Sequence, residues 1–309
     1  MIHLRAAAIA ALWAVGSTMA WTPAGQVGAP QVFRSRTDEV LVPTVVTDHG
    51  ALVTGLTPGD FALLDNGVRQ SVTVLAGTLP LDVTLVVDAS ASVVAGAFEP
   101  FVQAIAGALD TGDRIQVVTF GSDITVSVPM QPSGARLSAG PPDVGSFTAL
   151  NDALLYALVQ PAEADRRAVI VALTDARDNW SWLAGARLPS VAARSDATLY
   201  ALIAGRPGWT DTIGRFAAPE QGSVGDVVVN GGLDALKQAA HSSGGEVYDA
   251  APAADALAGF VRVLQDCRSG YLLAYVPRGV KAGGWHDVTV TVHGHEHDTV
   301  RARKGYGGS

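Results

Sequence analysis

From Leu81 to about Cys267 the chain alternates two hydrophobic patterns. The stretches 82–88 and 167–174 are short, nearly continuous apolar runs, as in strands buried on both faces. Other segments repeat with the period of a helix. Phe98, Phe101, Val102, Ile105 and Leu109 share one helical face, and Thr111-Gly112-Asp113 ends it with a glycine near the C-cap. The pattern predicts strands over 82–88, 114–120, 123–129, 167–174, 197–203 and 245–249. It predicts helices over 97–110, 149–160, 188–196, 232–242 and 253–267. Strand and helix in alternation imply an α/β fold, a doubly wound and mostly parallel sheet with helices on both faces.

On either side of this region the chain reads as β. Val40-Leu41-Val42-Pro43-Thr44-Val45-Val46-Thr47 is β-branched and ends at the turn Asp48-His49-Gly50. Asp65-Asn66-Gly67 is a hairpin signal, because Asn and Gly accept the positive φ of a type I′ turn. Val72-Thr73-Val74-Leu75 and Tyr271-Leu272-Leu273-Ala274-Tyr275-Val276 read as further strands, and 285–293 with 297–303 as a hairpin around Gly294. The expected organisation is an N-terminal β segment at 33–77, an α/β domain at 80–267 and a C-terminal β segment at 268–306, the two β segments joining as one small sandwich. The Gly/Pro-rich stretch 205–232, with Trp209, Asp211, Phe216 and Asp226, reads as irregular, either a specificity loop or a solvated insert.

Composition narrows the function classes. Of 309 residues, 48% are hydrophobic and 16% charged, so a sizeable core is available. The formal net charge of −8, without a cluster of Lys or Arg, argues against a nucleic-acid partner. Residues 1–20 have the form of a signal peptide: a short basic start, an apolar Ala-rich run and small residues with Ala20 as a cleavage point. A flexible leader at 21–32 follows. Beyond it no segment reads as long and apolar enough to span a bilayer, so the mature chain is expected in the periplasm, at the cell envelope or outside the cell. Cys267, the single cysteine, lies on an apolar helical pattern and reads as a small buried hydrophobe.

Three segments carry candidate chemistry. Asp88-Ala89-Ser90-Ala91-Ser92 follows the first apolar strand, and Gly145-Ser146-Phe147-Thr148-Ala149-Leu150 opens a helix. Leu173-Thr174-Asp175 ends a second apolar strand. Each places a hard oxygen donor at the top of the expected α/β sheet, where ligands of open α/β sheets bind. Two carboxylates and three hydroxyls, partly through water, suit Mg²⁺, which keeps several waters and only one or two carboxylates. Neutral hydroxyls leave the cation much of its charge for an acidic group of a partner. His293, His295 and His297 alternate and on a continuous strand would share a face fit for a transition metal, but Gly294 breaks that face with a turn. The chain has no Gly-x-Ser-x-Gly elbow, no His-Glu-x-x-His and no phosphate-binding glycine loop.

Asp-x-Ser-x-Ser, the later Thr and the strand-terminal Thr-Asp resemble the metal-ion-dependent adhesion site of von Willebrand factor type A domains over about residues 80–265. The resemblance implies direct ligation by Ser90, Ser92 and Thr148, with Asp88 and Asp175 acting directly or through water. Asp178 and Asn179 would support the ligands from behind or stand as solvated turn residues. The cofactor implied is Mg²⁺, with Mn²⁺ or Ca²⁺ as substitutes, and the partner a protein or peptide with an exposed acidic residue. The flanks, Leu56-Thr57-Pro58-Gly59-Asp60-Phe61 and Arg301-Ala302-Arg303-Lys304-Gly305-Tyr306, resemble an exported bacterial branch of these proteins abundant in acidobacteria. Two departures stand out: Ala91 and Ala176 occupy positions where that pattern usually has Gly. The function expected is cation-dependent protein binding. A metal-dependent hydrolase, lacking an assignable base, and a metal-free assembly protein of the envelope are the alternatives.

Overall fold

The computed structural model describes residues 39–75, 79–89, 98–135, 137, 147–163, 165–204, 224–250, 255–295 and 297–308, with 98–100 and 224–231 as backbone alone. The expected signal peptide and leader, Ser90, Ser92, Ala91 and residues 205–223 lie outside the described residues. The strands before the α/β region are β1 (Val40–Asp48), β2 (Ala51–Leu52), β3 (Phe61–Asp65), β4 (Val68–Gln70) and β5 (Thr73–Val74). The α/β region runs β6 (Leu81–Asp88), α1 (Phe98–Ala108), β7 (Arg114–Phe120), β8 (Ile124–Pro132), α2 (Leu150–Leu158), β9 (Arg167–Thr174), α3 (Leu188–Arg194), β10 (Thr198–Ile203), α4 (Val224–Ser243), β11 (Val247–Asp249) and α5 (Asp255–Ser269). Then come β12 (Tyr271–Tyr275), β13 (Gly284–Val292), β14 (Thr299–Ala302) and β15 (Gly305–Gly308).

The central sheet has the order β11-β10-β9-β6-β7-β8, parallel except for β8 at one edge. Alternate residues of β6 serve two cores. Leu81, Val83, Leu85 and Val87 pack with Ile105 of α1 and Phe260 of α5, whereas Val86 packs with Leu154 of α2, Leu188 of α3 and Leu236 of α4. Burial on both faces is why this strand carries an apolar run rather than an alternation. Among the described residues no helix is long and apolar enough to cross a membrane.

The flanking strands form two antiparallel sheets, β14-β1-β12-β5 with β2 on β1, and β15-β13-β3-β4. Val42, Phe61, Leu63, Leu273, Tyr275, Val288 and Val292 fill the layer between them. The α/β region is inserted between β5 and β12. These strands pair at Val74–Leu273 and Thr73–Ala274, so the chain leaves and re-enters the sandwich through neighbouring strands. Asn66 and Gly67, with φ of 46° and 80°, make the expected turn between β3 and β4.

Two expectations need correction. The segments 285–293 and 297–303 do not form a hairpin: β13 pairs with β3 and β15, while β14 pairs with β1 in the other sheet. Gly294, at φ 73°, turns the chain from one layer to the other. The stretch 205–232 is not irregular throughout, because α4 begins at Val224. Within α4, Gly232 packs closely: a Cβ there would stand 2.6 Å from the carbonyl oxygen of Ala176. Close packing, not turn geometry, accounts for that glycine.

The flanking motifs do structural work. Asp60 accepts hydrogen bonds from the backbone N–H of Thr57 at 2.7 Å and its hydroxyl at 2.8 Å, and Phe61 packs edge-on against Tyr271. At the other end Arg301 pairs with Asp266 of α5 and with Glu246 before β11, and the Lys304 N–H donates to the Ser242 carbonyl. Buried Arg303 donates to the carbonyls of Gly305 and Ser195. The Arg-Ala-Arg-Lys-Gly-Tyr segment thus fastens the sandwich to the α/β region.

Inside the sandwich a fully buried carboxylate, Asp65, gathers three partners. Tyr275 and Tyr306 donate to its Oδ2 at 2.9 Å each, and His286 Nδ1 lies 2.8 Å from Oδ1. Burial first, then the Asp65 hydrogen bond, pushes the Tyr306 phenol up to about 12. A phenol with a raised pKa binds its proton more tightly folded than unfolded. The stability it contributes is therefore intact below the ordinary value of 10.0 and is lost as pH climbs through about 12. Denaturant melts across that interval are expected to show an alkaline fall in the wild-type chain that is shallower in Tyr306→Phe. Equal slopes would show that Tyr306 contributes nothing to it.

Candidate metal centre

Asp88 is the last residue of β6 and is 0% exposed. It shares the pleat face of Val86, the face covered by α2, so its carboxylate lies toward the start of that helix. Its Oδ2 accepts the Thr174 hydroxyl at 2.9 Å from the end of β9. Thr174 Oγ1 in turn accepts the Ala176 N–H at 3.1 Å, which shapes the turn carrying Asp175. Asp175 Oδ1 accepts the Arg177 N–H at 3.0 Å, and the Arg177 guanidinium lies 3.6 Å from Oδ2.

The end of β7 aligns the other two segments. The Ala89 N–H donates to the Phe120 carbonyl at 2.7 Å and the Ala149 N–H to the Gly121 carbonyl at 2.8 Å. One dipeptide therefore fixes the backbone after Asp88 and the backbone after Thr148. Asp88, Thr148 and Asp175 are brought to the carboxyl edge of the central sheet, around β6, β7 and β9. Two carboxylates and hydroxyls are hard donors of the kind Mg²⁺ and Ca²⁺ take. Among the described residues no three His, Cys, Asp or Glu side chains form a metal-binding group.

Asp178 and Asn179 both work on this edge. Asn179 Oδ1 accepts the Thr148 N–H at 2.8 Å, while the N–H groups of Asn179 and Trp180 donate to the Thr148 carbonyl at 3.0 and 3.1 Å. Asp178 accepts the Asn151 N–H at 2.7 Å and so caps α2 from another segment, a favourable place for negative charge. Asp152 answers from the helix, accepting the N–H groups of Trp182 and Leu183 at 2.8 Å each. The loop 177–183 and the start of α2 thus form one stapled unit around Thr148.

Ala176 adopts φ 64°, the left-handed region in which the resembling pattern places Gly. Its cost of about 1–2 kcal/mol is offset in part because the methyl group is buried with Leu188 and Leu236 in the core under α3 and α4. Burying a methyl-sized group is worth about 0.8 kcal/mol.

Among the described residues the histidines join no metal-binding group. The His293 N–H donates to the Asp60 carbonyl, His295 Nδ1 lies 2.7 Å from Asp298, and Gly294 turns the chain between them. Cys267 is buried, and that burial pushes its thiol up, away from reactivity. A cavity of about 220 Å³ lies at the opposite end of the sheet, lined by Leu75, Leu79, Arg167, Cys267 and Tyr271. Arg167 opens β9 and Thr174 closes it, so cavity and cation edge stand about 23 Å apart along the strand.

Thr174 stands in the strand-end motif Thr174-Asp175, but the sequence assigns it no role of its own; its hydroxyl donates to Asp88 and accepts the Ala176 N–H. Phe147, Trp180 and Trp182 were passed over, since exposed aromatics fit neither period.

No protein-family model matches the chain, and no curated protein sequence does. Similar solved structures include the conserved hypothetical protein BatB from Bacteroides thetaiotaomicron, at 17% identity and TM-score 0.43, covering 60% of this chain and 98% of that one. The ArnB paralog VWA2 from Sulfolobus acidocaldarius has 12% identity and TM-score 0.46, covering 86% and 75%. A von Willebrand factor type A protein from Catenulispora acidiphila has 14% identity and TM-score 0.44, covering 78% and 71%. At these identities and scores the likeness lends nothing to the chemistry of the site.

Proposed function

We propose that this chain is an exported, cation-dependent protein-binding module of the von Willebrand factor type A kind. In this reading Ser90, Ser92 and Thr148 ligate a divalent cation, Mg²⁺ before Mn²⁺ or Ca²⁺, and Asp88 and Asp175 hold it directly or through water. An acidic side chain of a protein or peptide partner supplies a further oxygen. One observation carries the reading: a wholly buried Asp88 at the end of the central strand is joined through Thr174 to the strand end bearing Asp175, with Thr148 stapled beside them. Such an arrangement fits a cation that keeps its charge for a partner. Export is supported by the form of residues 1–20.

Thermal melts with Mg²⁺ and with chelator test it. At about one hundred times the dissociation constant, a ligand of the folded state alone adds about 2.7 kcal/mol. In a domain of this size that raises Tm by about 5 °C or more. Coincident melts in Mg²⁺ and chelator would sink the proposal.

A further inference from the structure

Three aromatic side chains beside this edge are left in water by folding. Phe147 immediately precedes Thr148 and stacks on Trp180, with ring centroids 4.3 Å apart and planes 25° apart. Phe147 and Trp180 remain 44% and 51% exposed, and Trp182 is 96% exposed. The Phe147–Trp180 stack, with Trp182 two residues further along the chain, is exposed apolar surface of the kind that marks interaction sites, and Trp is enriched among the residues that anchor them.

The backbone that carries these rings is held firmly. The Trp180 N–H donates to the Thr148 carbonyl, the Trp182 N–H to Asp152, and the Ser181 N–H to Asp178. Rings on a fixed backbone lose little freedom when a partner arrives. The same hydrogen bonds tie the rings to Thr148, so cation edge and aromatic rim move as one body. Successive Cα atoms are about 3.8 Å apart, so a group bound at Thr148 lies within a residue or two of the Phe147–Trp180 stack.

The carboxylates and several other acceptors of the rim are already engaged. Both carboxylate oxygens of Asp152 and of Asp178, Asn179 Oδ1 and Ser181 Oγ are taken up by hydrogen bonds within the loop and α2. A glycan needs such groups for its hydroxyls, whereas an apolar side chain needs only the ring faces. Building on the cation reading above, we propose that the partner is a polypeptide segment in which an aromatic or leucine-sized side chain lies within two residues of the metal-bound carboxylate. Trp180 and Trp182 receive that side chain and set the specificity of the site.

The test uses the full chain and fluorescein-labelled hexapeptides read by anisotropy in Mg²⁺ and in chelator. One peptide carries a single Asp among glycines; others carry Leu or Trp at one or two positions from the Asp. In Mg²⁺ the apolar neighbour is expected to tighten binding about tenfold. Trp182→Ala, an exposed position, is expected to erase that gain, so that the apolar neighbour binds no tighter than the Asp-glycine peptide. If the Asp-glycine peptide binds in Mg²⁺ but the neighbour adds nothing, or the gain survives Trp182→Ala, the aromatic inference falls alone. If no acidic peptide shows Mg²⁺-dependent binding, the cation reading falls and takes the inference with it. Trp182-dependent binding of an oligouronate in preference to every peptide would overturn the inference in favour of a glycan partner.

Discussion

Asp65→Ala is expected to destabilise the chain by about 3–5 kcal/mol, the range for removing one partner of a buried charged network. The carboxylate is wholly buried, and two phenols and an imidazole converge on it. Truncation leaves Tyr275, Tyr306 and His286 without that acceptor and opens a void the size of a carboxylate. These residues come from β12, β15 and β13, and Asp65 itself closes β3. The loss therefore falls on both layers of the sandwich at once. Denaturant melts read the effect directly. Asp65→Asn keeps one acceptor oxygen but turns an amide toward hydroxyl donors, and should fall between the two. A change below about 1 kcal/mol for Asp65→Ala, typical of a surface position, would show that the network contributes little.

The second large effect is expected at Asp88. In Asp88→Ala the whole Mg²⁺ response should vanish, and the Thr174 hydroxyl loses its acceptor. In saturating Mg²⁺ the variant should trail wild type by about 4 kcal/mol, combining about 2.7 for the lost cation with about 1 for the broken hydrogen bond. Asp88→Asn separates the two. Its amide oxygen still accepts from Thr174, so melts in chelator should lie close to wild type, but without the charge the response to Mg²⁺ should be absent. An Asp88→Asn chain that gains as much from Mg²⁺ as wild type would remove Asp88 from the site.

The central sheet was readable because burial on both faces writes an uninterrupted apolar run into β6 and β9. The flanking strands were readable as strands but not in their pairing. Residues on both sides of Gly294 alternate in the same way whether β13 and β14 pair with each other or, as found, with β3 and β1. Asp88 and Asp175 stand out as candidates because carboxylates close apolar strands, and Thr148 because it precedes a helix. Asp178 and Asn179 could be named as supports but not matched to partners, because partners depend on contacts between distant segments. Asn179 meets Thr148 across 31 positions, and Tyr306 meets Asp65 across 241. The terminal Arg-Ala-Arg-Lys-Gly-Tyr was visible as a motif, yet its work as a clamp needs Asp266, Glu246 and Ser242 in place.

The most direct test of the cation site is an anomalous-difference map from crystals grown with Mn²⁺. A single strong peak is expected at the carboxyl edge of the central sheet, within direct coordination distance of Thr148 Oγ1 and the two serine hydroxyls, with Asp88 and Asp175 at direct or one-water distance. A map with no peak there, or with its peak among the histidines at 293–297, would contradict the cation reading.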